Sequence, residues 1–251
     1  ISQPLAIIIK QHQMRSKISL ILLFSIYMTS AMIGQEKLSR EISQRKTYVT
    51  KFDKSKVIYK ETGQKIPNSE LLKIVEDNPR VFLENETDDE GNVLRYLYDP
   101  NNQNVDSAKK ILDSYISGDV PFPNFRVSTI DGEKIELKDL KGKLVILRFE
   151  SKLIGLQFNK PWIEELDEKI NALVNKEEVE AIIIYQASED EIREDVELTD
   201  TNFKLVADGR KIAQKYYINQ TPTTFLIDKN GKFIGIYRNI YKIKLEDHLS
   251  N

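Results

Sequence analysis

Two uninterrupted apolar runs constrain the fold of this chain most strongly. The first is KLVILRF, residues 143–149, and the second is VEAIIIYQA, residues 179–187. Each has the length of a strand, and an apolar run without polar alternation is typical of a strand that is buried on both faces of a sheet. The sequence therefore predicts a sheet covered on both sides in the C-terminal half of the chain.

Helix and strand signals alternate around these two runs. Pro161 suits the first turn of a helix, with Asn159 as its cap, and apolar residues then recur on one face. The face consists of Ile163, Leu166, Ile170 and Leu173. Further elements are predicted as an edge strand at 135–137, a helix at 212–217, a hairpin of strands 223–227 and 233–237, and a closing helix at 243–249. The order predicts an α/β domain over residues 119–251, with a mixed sheet flanked by helices.

Residues 36–118 are predicted to form a small α+β unit. Thr62-Gly63 indicates a turn between short strands, and Asn68 or Ser69 can cap a helix that ends at Asn78-Pro79. Glu90-Gly91-Asn92 is the expected tip of a hairpin. A second helix carries Ala108, Ile111, Leu112, Tyr115 and Ile116 and ends at Gly118. Asp119-Val-Pro-Phe-Pro123 is predicted to be a linker because its two prolines resist helix and central strand.

The N-terminus has the pattern of a secretory signal peptide. Residues 1–13 are interpreted as an upstream mis-start, and residues 14–34 run from basic Arg15 and Lys17 through an apolar stretch to small residues. Cleavage is expected after Ala31 or Gly34, with export to the periplasm or the cell exterior. A retained membrane anchor is the alternative, although the apolar run is short for a span; no stable span is expected after cleavage.

The composition excludes several kinds of chemistry. The chain has no cysteine and only two histidines, His12 and His248, so thiolate nucleophiles, disulfides and thiolate metal sites are absent. The net charge is −2, which offers no basic field for a nucleic acid. We expect no metal site and no cofactor. Asp88-Asp89-Glu90 and the Asp99–Asn104 segment resemble calcium loops weakly and are interpreted as solvated turns.

Two blocks of the C-terminal half carry a family resemblance. The first is VPFPNFRVSTIDGEKIELKDLKGKLVILRF and the second is LVADGRKIAQKYYINQTPTTFLIDKNGKFIGIY. They resemble the redoxin branch of the thioredoxin-like superfamily, which includes alkyl hydroperoxide reductase and thiol-specific antioxidant relatives (AhpC/TSA-like) and exported bacterial thiol–disulfide oxidoreductases. The resemblance covers just over half of the chain and implies a thioredoxin-like fold.

The resemblance also locates the family's Cys-x-x-Cys pair at the start of the helix after the first core strand. Counting forward from Phe149 places the pair at Ile154 and Gln157, whereas counting back from Pro161 places it at Leu153 and Leu156. Neither pair contains a nucleophile, so the family's thiol chemistry does not carry over. The chain is therefore predicted to be a cysteine-less pseudoenzyme with no catalytic residue.

The family's Thr-Pro-Thr turn is matched by Thr221-Pro222-Thr223, and the resemblance implies a cis Thr221–Pro222 bond. In the family this turn pairs with extended peptides through main-chain groups, which requires no sulfur. The leading hypothesis is a polypeptide-binding protein of the cell envelope. The candidate binding residues are Thr221, Pro222, Phe158 and Trp162, although core packing is the default for Trp162 and a shaping role is equally compatible with Pro222.

Two other functions remain open at this point. The first is an enzyme that uses carboxylate or Ser/Lys chemistry in the 36–118 unit or at its junction with the second domain. The second is a structural or accessory protein without a ligand, still grouped by similarity with thiol–disulfide oxidoreductases. A cluster of carboxylates in one cleft would favour the enzyme.

Overall fold

The computed structural model describes residues 52–103, 106–151, 160–196 and 200–249, and those from Asp53 onward belong to one unit. The first part contains β1 (Val57–Tyr59), α1 (Asn68–Asp77), β2 (Leu83–Thr87), β3 (Val93–Tyr98) and α2 (Ser107–Ser117). The second part contains β4 (Arg126–Ser128), β5 (Lys134–Glu136), β6 (Leu144–Glu150), α3 (Lys160–Asn171), β7 (Val179–Tyr185), α4 (Glu189–Asp195), β8 (Phe203–Val206), α5 (Arg210–Lys215), β9 (Thr223–Ile227) and β10 (Phe233–Tyr237).

The two apolar runs become neighbouring strands at the centre of the main sheet. The sheet has the order β10-β9-β6-β7-β8, in which β6, β7 and β8 run parallel and β9 runs antiparallel to both β6 and β10. All residues of β6 are buried. The predicted mixed α/β sheet is thus confirmed, because continuous apolar strands require cover on both faces.

Each face of this sheet has its own apolar core. Val145, Leu147 and Phe149 of β6 pack on one side against α2, α5 and the β4–β5 hairpin. Leu144 and Ile146 pack on the other side against α3, α4 and the C-terminal segment. The helix face predicted for α3 is correct, since Ile163, Leu166 and Ile170 are its buried residues.

The first part of the unit has a three-stranded sheet in the order β1-β3-β2. β2 and β3 form the predicted hairpin, whereas β1 pairs in parallel with β3. Val57, Ile66 and Leu71 make a small core beneath α1. The division of the chain near Asp119 stays a prediction, and the two parts are in close contact.

The segment predicted as a linker is closely packed. The ring of Phe122 stacks on Tyr216 with centroids 4.8 Å apart and on Phe233 with centroids 4.6 Å apart. Tyr216 Oη donates a hydrogen bond of 2.8 Å to the carbonyl of Pro123. Its prolines do exclude regular structure, but the half-buried Phe122 packs against the core.

Several local predictions need correction. The closing helix expected at 243–249 is replaced by short 3-10 turns at Ile240–Lys242 and Glu246–His248, while Ile243, Leu245 and Leu249 are buried. Strands β4 and β8 were not predicted. Helix α4 follows β7 and begins with a capping box between Ser188 and Glu191.

An ion pair is buried within the central strand. Arg148 Nε donates to Glu150 Oε1 at 2.8 Å, and Arg148 Nη1 donates to Thr224 Oγ1 at 3.2 Å. Arg148 is 1% exposed and Glu150 is 3% exposed. Burial raises the pKa of Glu150, and the attraction of Arg148 opposes this rise. Both charges must be satisfied internally because water does not reach them.

A second network joins the amino ends of the three parallel strands. Glu180 of β7 is 4% exposed and lies between Lys143 Nζ at 2.7 Å and Lys204 Nζ at 2.6 Å. Burial alone raises the pKa of Glu180, but the two lysines outweigh burial and lower it. The carboxylate therefore stabilises the folded chain in its ionised form.

Removing one charge of the Arg148–Glu150 pair is predicted to cost more than replacing both. Arg148→Met leaves a buried, unpaired carboxylate, so the free energy of unfolding is expected to fall by about 3–5 kcal/mol. Arg148→Met combined with Glu150→Leu is expected to restore most of this loss, to within about 1 kcal/mol of the original chain. Guanidinium unfolding measures both; equal losses in the single and double variants would contradict the explanation.

Glu180→Gln is predicted to lower the free energy of unfolding by roughly 2 kcal/mol at neutral pH, because the charged hydrogen bonds to Lys143 and Lys204 weaken. The pKa of Glu180 is lower in the folded chain than its ordinary value of 4.5. Its stabilisation is therefore complete above pH 4.5 and is lost as the pH falls through the folded pKa. Urea unfolding at several pH values tests this, with Glu177→Gln, at an exposed glutamate, as the control. A difference from the original chain that does not shrink in acid would refute it.

Candidate functional site

The carboxyl end of β6 and the start of β9 are adjacent in the main sheet. Phe149 and Thr223 are paired residues in the antiparallel register of these strands. The Thr221–Pro222 bond, directly before β9, is cis, as the family resemblance implies. The two landmarks on which the site assignment depends, Phe149 and Pro222, therefore lie in one region of the molecule.

The turn before β9 combines half-buried and exposed residues. Thr221 and Pro222 are half-buried, and Asn219 and Gln220 before them are exposed. Thr223 Oγ1 donates a 2.7 Å hydrogen bond to the carbonyl of Gln220, which closes the turn on itself. Among the residues that the structure describes, none makes a hydrogen bond with the main-chain N–H or C=O of Thr221.

The first turn of α3 contributes an exposed aromatic residue. Trp162 is 37% exposed, and its neighbour Pro161 is also exposed. Core packing, the default for Trp162, thus accounts for only part of its surface. The other expected positions, Leu153, Ile154, Leu156, Gln157 and Phe158, lie outside the described residues, so the two registers of the family's cysteine pair both stay open.

A buried polar group occupies the same end of the sheet. Glu150 is the last residue of β6 and pairs in register with Tyr185 of β7. The hydroxyl of Tyr185 is buried and has no hydrogen-bond partner within the described part of the chain. Burial raises the pKa of Tyr185. The sequence analysis did not predict the buried pair of Arg148 and Glu150. Two opposite charges two residues apart at the end of an apolar run could have indicated it.

The segment between α5 and the cis-Pro turn was also missed. Tyr217 adopts a positive φ of 55°, and its hydroxyl accepts a 3.1 Å hydrogen bond from the backbone N–H of Asn85 in β2. Lys215, the last residue of α5, is 7% exposed and donates a 2.7 Å hydrogen bond to the carbonyl of Asp88. No local sequence pattern predicts either contact, because both join residues that are distant in sequence.

The acidic residues do not assemble into a metal centre in the described ranges. No group of three or more His, Asp or Glu side chains there has the geometry to hold an ion. The acidic residues 88–90 lie at a turn, with Glu90 exposed, and they also contact the second part of the unit: Asp89 accepts from Asn124 Nδ2 at 2.8 Å, and Glu90 pairs with Arg126 at 2.5 Å.

Comparison with known proteins gives a consistent family. The sequence model of the AhpC/TSA family matches residues 119–235. The thiol-disulfide oxidoreductase ResA of Bacillus cereus is 40% identical over 116 residues, which are 45% of this chain and 64% of that protein. The ResA of Bacillus thuringiensis subsp. konkukian is 38% identical over 132 residues, which are 51% of this chain and 73% of that protein. The thioredoxin-like protein YneN of Bacillus subtilis is 32% identical over 120 residues, 46% of this chain and 68% of that protein.

Two solved structures illustrate the likeness at lower identity. StoA from Bacillus subtilis aligns with a TM-score of 0.37 and 24% identity over 47% of this chain and 89% of that one. A thioredoxin-like protein from Bacteroides caccae aligns with a TM-score of 0.44 and 16% identity over 58% of this chain and 55% of that one. The chain spans just under two thirds of the length of the Bacillus cereus relative. On the family match and the identity to the ResA proteins, the chain belongs to the thioredoxin-like redoxins of the AhpC/TSA family, as a member without cysteine.

Proposed function

We propose that this chain is an exported, non-catalytic thioredoxin-like protein that binds an extended polypeptide at the turn Thr221–Pro222. The observation that carries the proposal is the main chain of Thr221, whose N–H and C=O have no hydrogen-bond partner among the described residues. Such groups are the ones that an extended peptide pairs with when it adds to a sheet. The adjoining turn is already closed by Thr223, so the polypeptide meets a preformed surface.

The absence of sulfur is what separates binding from catalysis. The two ResA relatives named above are called thiol-disulfide oxidoreductases, whereas none of the 251 residues here is a cysteine. Thiol–disulfide exchange needs a thiolate that attacks a disulfide sulfur. Because main-chain pairing needs no thiolate, the binding step can persist on this scaffold without the exchange step.

Trp162 supplies an anchor for the same partner. It is the only tryptophan in the chain, it follows the β6–α3 connection, and more than a third of it is exposed. Tryptophan is enriched among residues that dominate binding energy, since it buries a large apolar area with few rotatable bonds. The apolar residues Leu153, Ile154, Leu156 and Phe158 are proposed to extend this surface.

The two alternative functions, an enzyme and an accessory protein without a ligand, receive less support. A carboxylate mechanism needs acidic groups that converge on one cleft, but the carboxylates of Glu150, Glu180 and Glu90 each pair with a neighbouring cation. An accessory protein without a ligand gives no reason for the exposure of Trp162. We therefore place both behind polypeptide binding.

Export is proposed from the N-terminal pattern at residues 14–34, in which a basic start, an apolar run and small residues follow one another. In the described ranges, no helix has the length and apolar character that a membrane crossing requires. The proposed compartment is the periplasm or the cell exterior.

Binding is predicted to depend on Trp162. The probe is ribonuclease A that has been reduced, carboxamidomethylated and labelled with fluorescein, so that it is extended and has no free thiol. Trp162→Ala is expected to weaken its binding by about tenfold or more in fluorescence anisotropy. Tyr241→Ala, at another exposed aromatic residue, is the control and is expected to change affinity less than about twofold. The proposal fails if the original chain does not bind or if both variants weaken binding equally.

The protein is predicted to be inactive in thiol exchange. In the insulin-reduction assay with dithiothreitol, the pure protein is expected to leave the precipitation rate at the level of dithiothreitol alone, because no residue can form the mixed disulfide. A cysteine-containing thioredoxin serves as the positive control. Any turnover that scales with the concentration of this protein would rule out a non-catalytic role.

A further inference from the structure

The tip of the β2–β3 hairpin approaches α5 more closely than any side chain would allow. Gly91 has a φ of +80°, and a Cβ placed on it would lie 2.7 Å from both the carbonyl carbon and the carbonyl oxygen of Lys211. The backbone of Lys211 cannot move away without disturbing α5. Only glycine therefore permits this contact between the two parts of the unit.

Hydrogen bonds secure the same contact on both sides of Gly91. Lys215 Nζ donates to the carbonyl of Asp88 at 2.7 Å, and Lys211 Nζ donates to Asn92 Oδ1 at 2.7 Å. The ammonium of Lys215 is buried, and burial lowers its pKa, although the nearby carboxylates oppose this. Because a buried cation without an acceptor is costly, the carbonyl of Asp88 fixes the position of the last residue of α5.

The strand that leads to this tip contacts the next part of the chain. The backbone N–H of Asn85 donates to Tyr217 Oη at 3.1 Å, and the ring of Phe82 lies 5.9 Å from the ring of Tyr217. Tyr217 has a positive φ directly after α5, where the backbone N–H of Ile218 donates to the carbonyl of Ala213, as is common where a helix ends in a left-handed residue. The chain then continues from Tyr217 to the turn at Thr221–Pro222.

We propose that residues 82–92 form a brace that positions α5 and the connection 216–222, and so sets the affinity of the polypeptide site. Asn85, Asp88 and Gly91 are its positioning residues. The brace and a bound partner would stabilise the same conformation of the connection. Contacts of the brace therefore raise the affinity for the partner, and a bound partner strengthens the contacts of the brace. The effect of the brace on affinity rests on the proposed function. Its effect on the conformation of residues 216–222 does not.

Gly91→Ala tests the brace, with Gly63→Ala as a matched control. Both glycines have positive φ and both lie in the first part of the unit, but a Cβ at Gly63 meets nothing within 4 Å. The two variants thus share the cost of placing alanine at positive φ, and only Gly91→Ala separates the tip from α5. Hydrogen exchange of the amides of Tyr216, Tyr217 and Ile218, in the protein without partner, is expected to be at least tenfold faster in Gly91→Ala than in Gly63→Ala.

The labelled ribonuclease A probe then measures the effect on the site, with a several-fold loss of affinity expected in Gly91→Ala and not in Gly63→Ala. Equal exchange rates in the two variants would overturn the brace. Faster exchange together with no binding of the probe by the original chain would retain the brace and remove the proposed function.

If Gly91→Ala does not fold, Tyr217→Phe removes only the hydroxyl that accepts from Asn85 and keeps the ring beside Phe82. Faster exchange of the amides of Tyr217 and Ile218 is expected in this variant as well, and its absence would again overturn the brace.

Discussion

The antiparallel pairing of β6 with β9 is the interaction on which the rest of this structure depends. It places Phe149 opposite Thr223, and therefore brings the end of the central strand next to the turn that contains the cis bond. Both faces of β6 are buried against separate cores, so a slip by one residue would exchange the side chains that pack into each core. The position of the candidate site follows from that register and not from any side chain of the site itself.

The first part of the unit carries no recognisable catalytic motif, but its hairpin contacts helix α5 of the second part. Its hairpin meets α5 through backbone contact at Gly91 and through main-chain acceptors at Asp88. Most substitutions change the side chain of a residue and leave its main-chain N–H and C=O in place. A contact made by main-chain groups therefore depends on the backbone conformation of the hairpin. Phe122 adds an aromatic contact between the two parts, because its ring meets Tyr115 of α2 edge-on and stacks on Tyr216 and Phe233 of the second part.

The sequence predicted the central features of this fold because they are local. Apolar runs gave β6 and β7, the spacing of Ile163, Leu166 and Ile170 gave the buried face of α3, and glycines marked the hairpins. Contacts between distant residues were not predictable in this way: neither Asn85 with Tyr217 nor Lys215 with Asp88 leaves a periodic signal. The C-terminal segment was misjudged because its apolar residues suggested a helix, whereas they are buried from 3-10 turns. The candidate site was predicted through the motif Thr221-Pro222-Thr223 and not through physical pattern.

Glu180 joins the amino ends of β6, β7 and β8, whereas the turn at Thr221–Pro222 adjoins the carboxyl end of β6. The length of β6 separates the two by about 20 Å at roughly 3.3 Å per residue. Effects of substitutions that are this far apart and share no neighbour are close to additive. Substitutions can therefore alter the surface at one end of the sheet while the charged network at the other end continues to resist unfolding.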